Sequence, residues 1–216
     1  MKLSDIIITV IAGESLAVIA TQLLQGRHIS VFILAWLFYF LMPILAIVVF
    51  WLVDLISQKY LFIYQFAKYC LIGIIATLAD MEIFIFLIWL VDSDSGLFHG
   101  AFKSVSFLVA TYVKFLGNKY WTFEEHEKKD TKKEFINFLL VTFLGLLLDV
   151  AGFLFFTKTI GPHFGISVPV WREVSLILSA LVAAVWNFLG YKFIIFKKQV
   201  KNINTPPASS DQQLKP

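Results

Sequence analysis

Residues 115–123 read FLGNKYWTF, and residues 188–196 read FLGYKFIIF. Each closes an apolar stretch on a Gly, a Lys and a cluster of aromatics. A chain that writes nearly the same helix ending twice has been built by duplication, and the letters upstream agree. Phe66 and Asp80 recur as Phe135 and Asp149, 69 residues on. Lys103-Ser-Val-Ser recurs as Arg172-Glu-Val-Ser at the same offset, which sets Asn118 on Asn187. The two endings themselves match at an offset of 73, about one helical turn more, so the register at the inner end stays open. One reading makes the last helix a turn longer there. Each copy holds two apolar stretches, hence one helical hairpin. Both hairpins must then enter a membrane from the same side, which implies a pseudo-two-fold axis along the membrane normal.

The rest of the chain fits that setting. It has 216 residues, of which 59% are hydrophobic and 15% charged, and its mean hydropathy is +0.80. So little polar side chain cannot coat a soluble domain of this size. Apolar runs near 20 residues match a hydrocarbon core about 30 Å thick. Six spans are expected, over residues 5–24, 31–56, 66–91, 97–118, 135–157 and 171–194. The expected fold is an all-α integral membrane protein with six transmembrane helices: a four-helix core of two parallel-repeat hairpins (59–198), an N-terminal helical hairpin (1–58) and a disordered tail (199–216). Gly13-Glu14-Ser15 interrupts the first span, so a helix lying on the membrane surface is its rival reading. A cleaved signal peptide fits less well, because no A-x-A-like site follows and Lys2 is the only charge ahead of the run. Lysines 119, 128, 129, 132, 133, 192, 197, 198 and 201 gather on one side if both termini are cytoplasmic. The pI near 8.9 therefore reflects loops at a membrane, with no nucleic-acid partner. The single Cys70 allows no disulfide within the chain.

Intramembrane charges carry the candidate site. A carboxylate facing lipid costs at least about 2.5–3.5 kcal/mol on insertion scales, so Asp80 and Asp149 should face the protein interior or be protonated. Lys103 and Arg172 could each pair with the Asp of their own hairpin. Such bridges either pin the hairpins or bind a ligand. Lys114 sits one turn before Asn118 on the same face, and at an offset of 69 its counterpart is Ala183. This unmatched cation is a candidate for a phosphate, against the alternative of snorkelling to the interface. Asn118 and Asn187 could cap helix ends or hold a polar headgroup. Glu14 is a candidate proton carrier. Glu82 and Asp54 have no repeat counterpart and receive no role. There is no Gly-rich phosphate loop, no His-x-x-x-His and no Cys cluster, and the four His residues fall in loops. Neither catalysis, a cofactor nor a metal is expected.

With these residues in place, Phe66 to Phe196 resembles the GtrA-like family of small bacterial membrane proteins. The resemblance rests on residues 66–73 and Asp80, on Lys103-x-x-x-Phe107, and on Phe115-x-Gly-Asn118-x-x-Trp-Thr-Phe123, with Asp149, Arg172 and Asn187-Phe188 in the second copy. The family usually has four helices, so residues 1–58 are an addition. The resemblance implies translocation of a polyprenyl-phosphate-linked monosaccharide across the bacterial inner membrane, for cell-surface polysaccharide synthesis by an outward-facing glycosyltransferase. Asp80, Lys103, Lys114, Asn118, Asp149, Arg172 and Asn187 would line the headgroup path. Two other readings stay open: a non-transporting membrane anchor for a glycosyltransferase, and a proton-coupled exporter of small molecules using Glu14 or Asp80. Membrane lipids are expected neighbours, and four core helices are few enough that a homodimer is plausible.

Overall fold

The computed structural model describes residues 1–24, 31–91, 96–126, 130–163 and 167–196. The expected disordered tail and the basic residues Arg27, Lys128, Lys129, Lys197, Lys198 and Lys201 lie outside them. Six long helices follow one another: α1 (Leu3–Leu24), α2 (Val31–Ile56), α3 (Leu61–Val91), α4 (Gly96–Gly117), α5 (Thr131–Leu154) and α6 (Val168–Gly190). Among the described residues there is no strand. Asp130 starts α5 by accepting the backbone N–H groups of Lys132 and Lys133 at 3.1 and 3.4 Å. Gly161 stops the helical path after α5 at φ +70°, a conformation that suits glycine. His99 falls inside α4, not in a loop.

Among the described residues, five helices are long and apolar enough to cross a membrane; α4 is outside that set. Lys103, Ser104, Ser106, Thr111 and Lys114 lower its apolar content. α4 nevertheless crosses beside α3: Lys103 and Ser106 meet Asp80 at one end, and Gly117 packs on Ile72 at the other. The chain is thus an all-α, multi-pass membrane protein. It folds as three sequential antiparallel hairpins, α1/α2, α3/α4 and α5/α6.

α1 is continuous through Gly13 and lies along α3. Asp5 meets Tyr64 and Lys68 near one end, while Gln22 Nε2 donates to Glu82 Oε1 at 2.6 Å near the other. The two helices therefore run parallel across the same depth, which rules out a surface-lying α1. Gly13 is a packing contact. A Cβ there would lie 2.5 Å from Pro43 Cα, so only glycine lets α1 cross α2 so closely.

The two core hairpins join at one end through Tyr69, Phe115, Phe123, Phe138, Phe188, Tyr191 and Phe196. The ring contacts are reciprocal between copies. Phe115 lies 5.9 Å from Phe196, and Phe188 lies 5.8 Å from Phe123. Phe66–Phe188 at 5.2 Å mirrors Phe135–Phe115 at 5.4 Å. Tyr69–Phe188 at 5.7 Å mirrors Phe138–Phe115 at 5.4 Å. Exchange of partners in this manner is the mark of a two-fold relation. The equivalent rings Phe123 and Phe196 stack on each other at 5.2 Å, so the pseudo-axis passes between them.

These contacts fix the register. First helices correspond at an offset of 69, and the ends of second helices at 73. Gly117 packs on Ile72, and Gly190 on Val141. Each ending closes in a π-helical turn, Asn118–Thr122 and Tyr191–Ile195. The two helix endings are therefore equivalent, and the extra residues fall in the connection between Ile160 and Val168. The register left open by the two offsets is settled in favour of endings of equal length.

Candidate functional site

Above the aromatic core the hairpins diverge. Phe107 of α4, residues Leu139, Thr142, Phe143, Gly145, Leu146 and Asp149 of α5, and Ala183 and Asn187 of α6 line a cavity of about 420 Å³. It is largely apolar, with three polar groups: Thr142, Asp149 and Asn187. Gly145 admits the Asn187 side chain, since a Cβ there would sit 2.3 Å from Oδ1. Asn187 is buried, and its Oδ1 has no hydrogen-bond partner among the described residues. Its amide sits beside the Tyr69 hydroxyl. Thr142 donates to Phe138 O at 2.7 Å and shares a 2.8 Å hydrogen bond with the Tyr191 hydroxyl.

Lys114 lies across Tyr69 from this lining. Its Nζ stands 5.4 Å from the centroid of the Tyr69 ring, a cation–π distance. At the structural register its counterpart is Asn187, not Ala183. Two equivalent positions of the repeat therefore converge on Tyr69, one cationic and one neutral. Among the described residues Lys114 makes no ion pair, whereas Lys68, Lys103 and Lys119 each face a carboxylate.

The other expected site residues are placed elsewhere. Asp80 binds Lys103 and accepts from Ser106 Oγ at 2.6 Å, so this pair ties α3 to α4 and does not line the cavity. Arg172 is exposed and makes no bond to Asp149. The four-residue slip explains the difference, because at the structural register Leu176, not Arg172, is the counterpart of Lys103. Asp149 has no hydrogen bond or ion pair among the described residues. Asn118 is buried and returns its Nδ2 to Lys114 O at 2.8 Å, a bond inside its own helix ending. Glu14 is half-buried on α1, which packs on α2 and α3 away from the cavity.

Sequence reading missed a second polar cluster, at the start of α1. Asp5 and Lys68 form a buried pair at 2.9 Å, with side chains 0% and 1% exposed. Tyr64 Oη and Trp121 Nε1 donate to Asp5 at 2.6 and 2.9 Å. Lys68 Nζ also lies over the Tyr64 and Trp121 rings. Next to it, Glu124 hydrogen-bonds Lys2 at 2.8 Å and raises its pKa by favouring the charged form. A Lys and an Asp inside apolar runs were the available signal, but they lie 63 positions apart in different hairpins. Trp121 thus gives the NKYWTF ending a definite task. It seats the N-terminal hairpin on the core. Lys119, buried beside Glu134 of α5, likewise ties that ending to the second hairpin.

No curated protein and no solved structure matches the chain. The family model described as the GtrA/DPMS transmembrane domain matches residues 68–196, more than half of the chain, from Lys68 through the second aromatic ending. The duplicated hairpins, their shared aromatic ends and the cavity between them all fall inside that match, and the chain belongs to the GtrA/DPMS transmembrane-domain family.

Proposed function

We propose that this protein carries a polyprenyl-phosphate-linked monosaccharide from the inner to the outer leaflet of a bacterial cytoplasmic membrane. The observation that carries the reading is Lys114, a cation without a carboxylate partner among the described residues, set beside a cleft between two hairpins. A lone ammonium at membrane depth is costly and marks a ligand path. The phosphodiester that joins the prenyl chain to the sugar supplies the missing negative charge, and the largely apolar cavity lets the isoprenoid chain remain in lipid. Asn187 Oδ1 and Thr142 offer hydrogen bonds to the polar head as it passes. The protein needs no catalytic group for this task, and an outward-facing glycosyltransferase is the natural consumer of the delivered sugar. Both termini are cytoplasmic in this scheme, with Lys59, Lys119, Lys132 and Lys133 on that side.

Reconstitution tests the reading. Proteoliposomes holding a labelled polyprenyl-phosphate hexose should expose its headgroup to an external, membrane-impermeant reagent faster than protein-free vesicles do. Lys114→Ala should slow that exposure at least about tenfold while leaving the thermal unfolding midpoint within a few degrees, since a hydrogen bond to a charged group is worth about 1.5–3 kcal/mol. Equal exposure rates with and without protein would reduce the role to that of a membrane anchor.

A further inference from the structure

The cleft is asymmetric where the repeat is not. Asp80 is neutralised inside its own hairpin by Lys103 and Ser106, while its counterpart Asp149 is left bare on the cavity wall. The four residues added to the outer connection moved the second helix by a turn and left a leucine where the basic partner would stand. Depth follows from the repeat. Lys114 and Asn187 are equivalent positions, and Asn187 touches Gly145. Asp149 lies four residues beyond Gly145 on α5, about 6 Å farther out along the helix. A carboxylate on the wall of the cleft and a cation across Tyr69 from its lining thus stand at two levels, the carboxylate about one helical turn farther out than the Gly145–Asn187 contact.

The same wall has groups suited to a pyranose. Phe107 and Phe143 line it with apolar rings, and Thr142 and the unpartnered Asn187 Oδ1 add polar atoms. We propose that Asp149 accepts hydroxyl hydrogens of the sugar while Lys114 holds its phosphate, and that the cleft thereby selects a neutral sugar over an acidic one. The inference rests on the lipid-linked-sugar reading above and adds the sugar's charge class and orientation. Hydroxyl-to-carboxylate bonds are short and strong because the acceptor is charged. A hexuronic acid would bring a second carboxylate against Asp149 in a setting of low dielectric, where repulsion is weakly screened.

Binding in nanodiscs decides it, with three probes: bare polyprenyl phosphate, the same lipid carrying a hexose, and the same lipid carrying the corresponding hexuronic acid. The wild type should prefer the hexose lipid over the hexuronate lipid by about tenfold or more. Asp149→Asn should bring that ratio close to one and leave the affinity for bare polyprenyl phosphate unchanged. Equal binding of the two sugar lipids by the wild type overturns the proposal without any variant, and so does a ratio that Asp149→Asn leaves intact. Failure of the underlying reading looks different. In that case bare polyprenyl phosphate does not bind, or binds equally well to Lys114→Ala.

Discussion

Lys68, Lys103, Lys114 and Lys119 all interrupt apolar helices or their endings, yet only Lys114 lacks a carboxylate among the described residues. The three paired lysines each have a carboxylate partner that accounts for their place in an apolar helix. Asp5 and Lys68 are the most deeply placed pair, held by Tyr64 and Trp121 as well. Breaking a buried pair from one side leaves an uncompensated charge and costs about 3–5 kcal/mol, whereas replacing both members with apolar groups can be nearly neutral. Asp5→Ala should therefore lower the unfolding midpoint in detergent far more than the double replacement Asp5→Ala with Lys68→Met. A double variant no more stable than Asp5→Ala alone would mean that the stranded Lys68 charge is not what the single replacement costs. Lys114 is expected to behave differently: its replacement should spare stability, because no partner is stranded.

At the level of helices, the two endings are held by close glycine contacts. A Cβ on Gly117 would meet Ile72 Cδ1 at 2.7 Å, and one on Gly190 would meet Val141 Cγ1 at 2.5 Å. Ile72 Cγ2 would lie at 2.9 Å as well, and both neighbours are β-branched and stiff at χ1. Gly117→Ala and Gly190→Ala should thus each destabilise, by about 1–3 kcal/mol as for other overpacked sites, with Ile72→Ala restoring most of the first loss and Val141→Ala most of the second. Thermal unfolding of the single and paired variants checks this, and a glycine replacement without effect on the midpoint would contradict it. The same contacts show what the letters could convey. Six helices and the duplicated hairpin were legible, because apolar runs of bilayer length and paired rare residues leave few alternatives. The register was not. Offsets of 69 and 73 are both written in the chain, and only the reciprocal rings Phe115–Phe196 and Phe188–Phe123 assign each to its helix. The expected Asp149–Arg172 pair was lost to that ambiguity, as was the link between Lys114 and Asn187. Asp5, Lys68 and Trp121 were beyond reach for another reason: their meeting depends on how the first hairpin docks, a tertiary choice no local pattern encodes.

The whole molecule is then three hairpins leaning on one another, with α1 parallel to α3 and the pseudo-two-fold axis passing between α3/α4 and α5/α6. The polar cluster at Asp5, the pair Lys119–Glu134 and both aromatic endings share one membrane face. Trp171, hydrogen-bonded to Phe156 O at 2.9 Å, and Gly161 stand at the opposite face. Lysines predominate on the first of these faces, and the proposed orientation sets that face in the cytoplasm. Labelling of single cysteines in a Cys70→Ser background follows from this arrangement. Cysteines at the exposed positions Ser4 and His126 should react with an impermeant maleimide only after the membrane is opened. One at the exposed Pro162 should react in intact cells or spheroplasts. The decisive position is Leu24, the last residue of α1. Because α1 keeps company with α3 from Asp5 to Gln22, α1 ends at the same face as α3, and a cysteine in place of Leu24 should label from outside. Labelling there only from the cytoplasm would mean that α1 does not cross, and the Asp5 and Gln22 contacts with α3 could not both form, since they lie at the two ends of one transmembrane path.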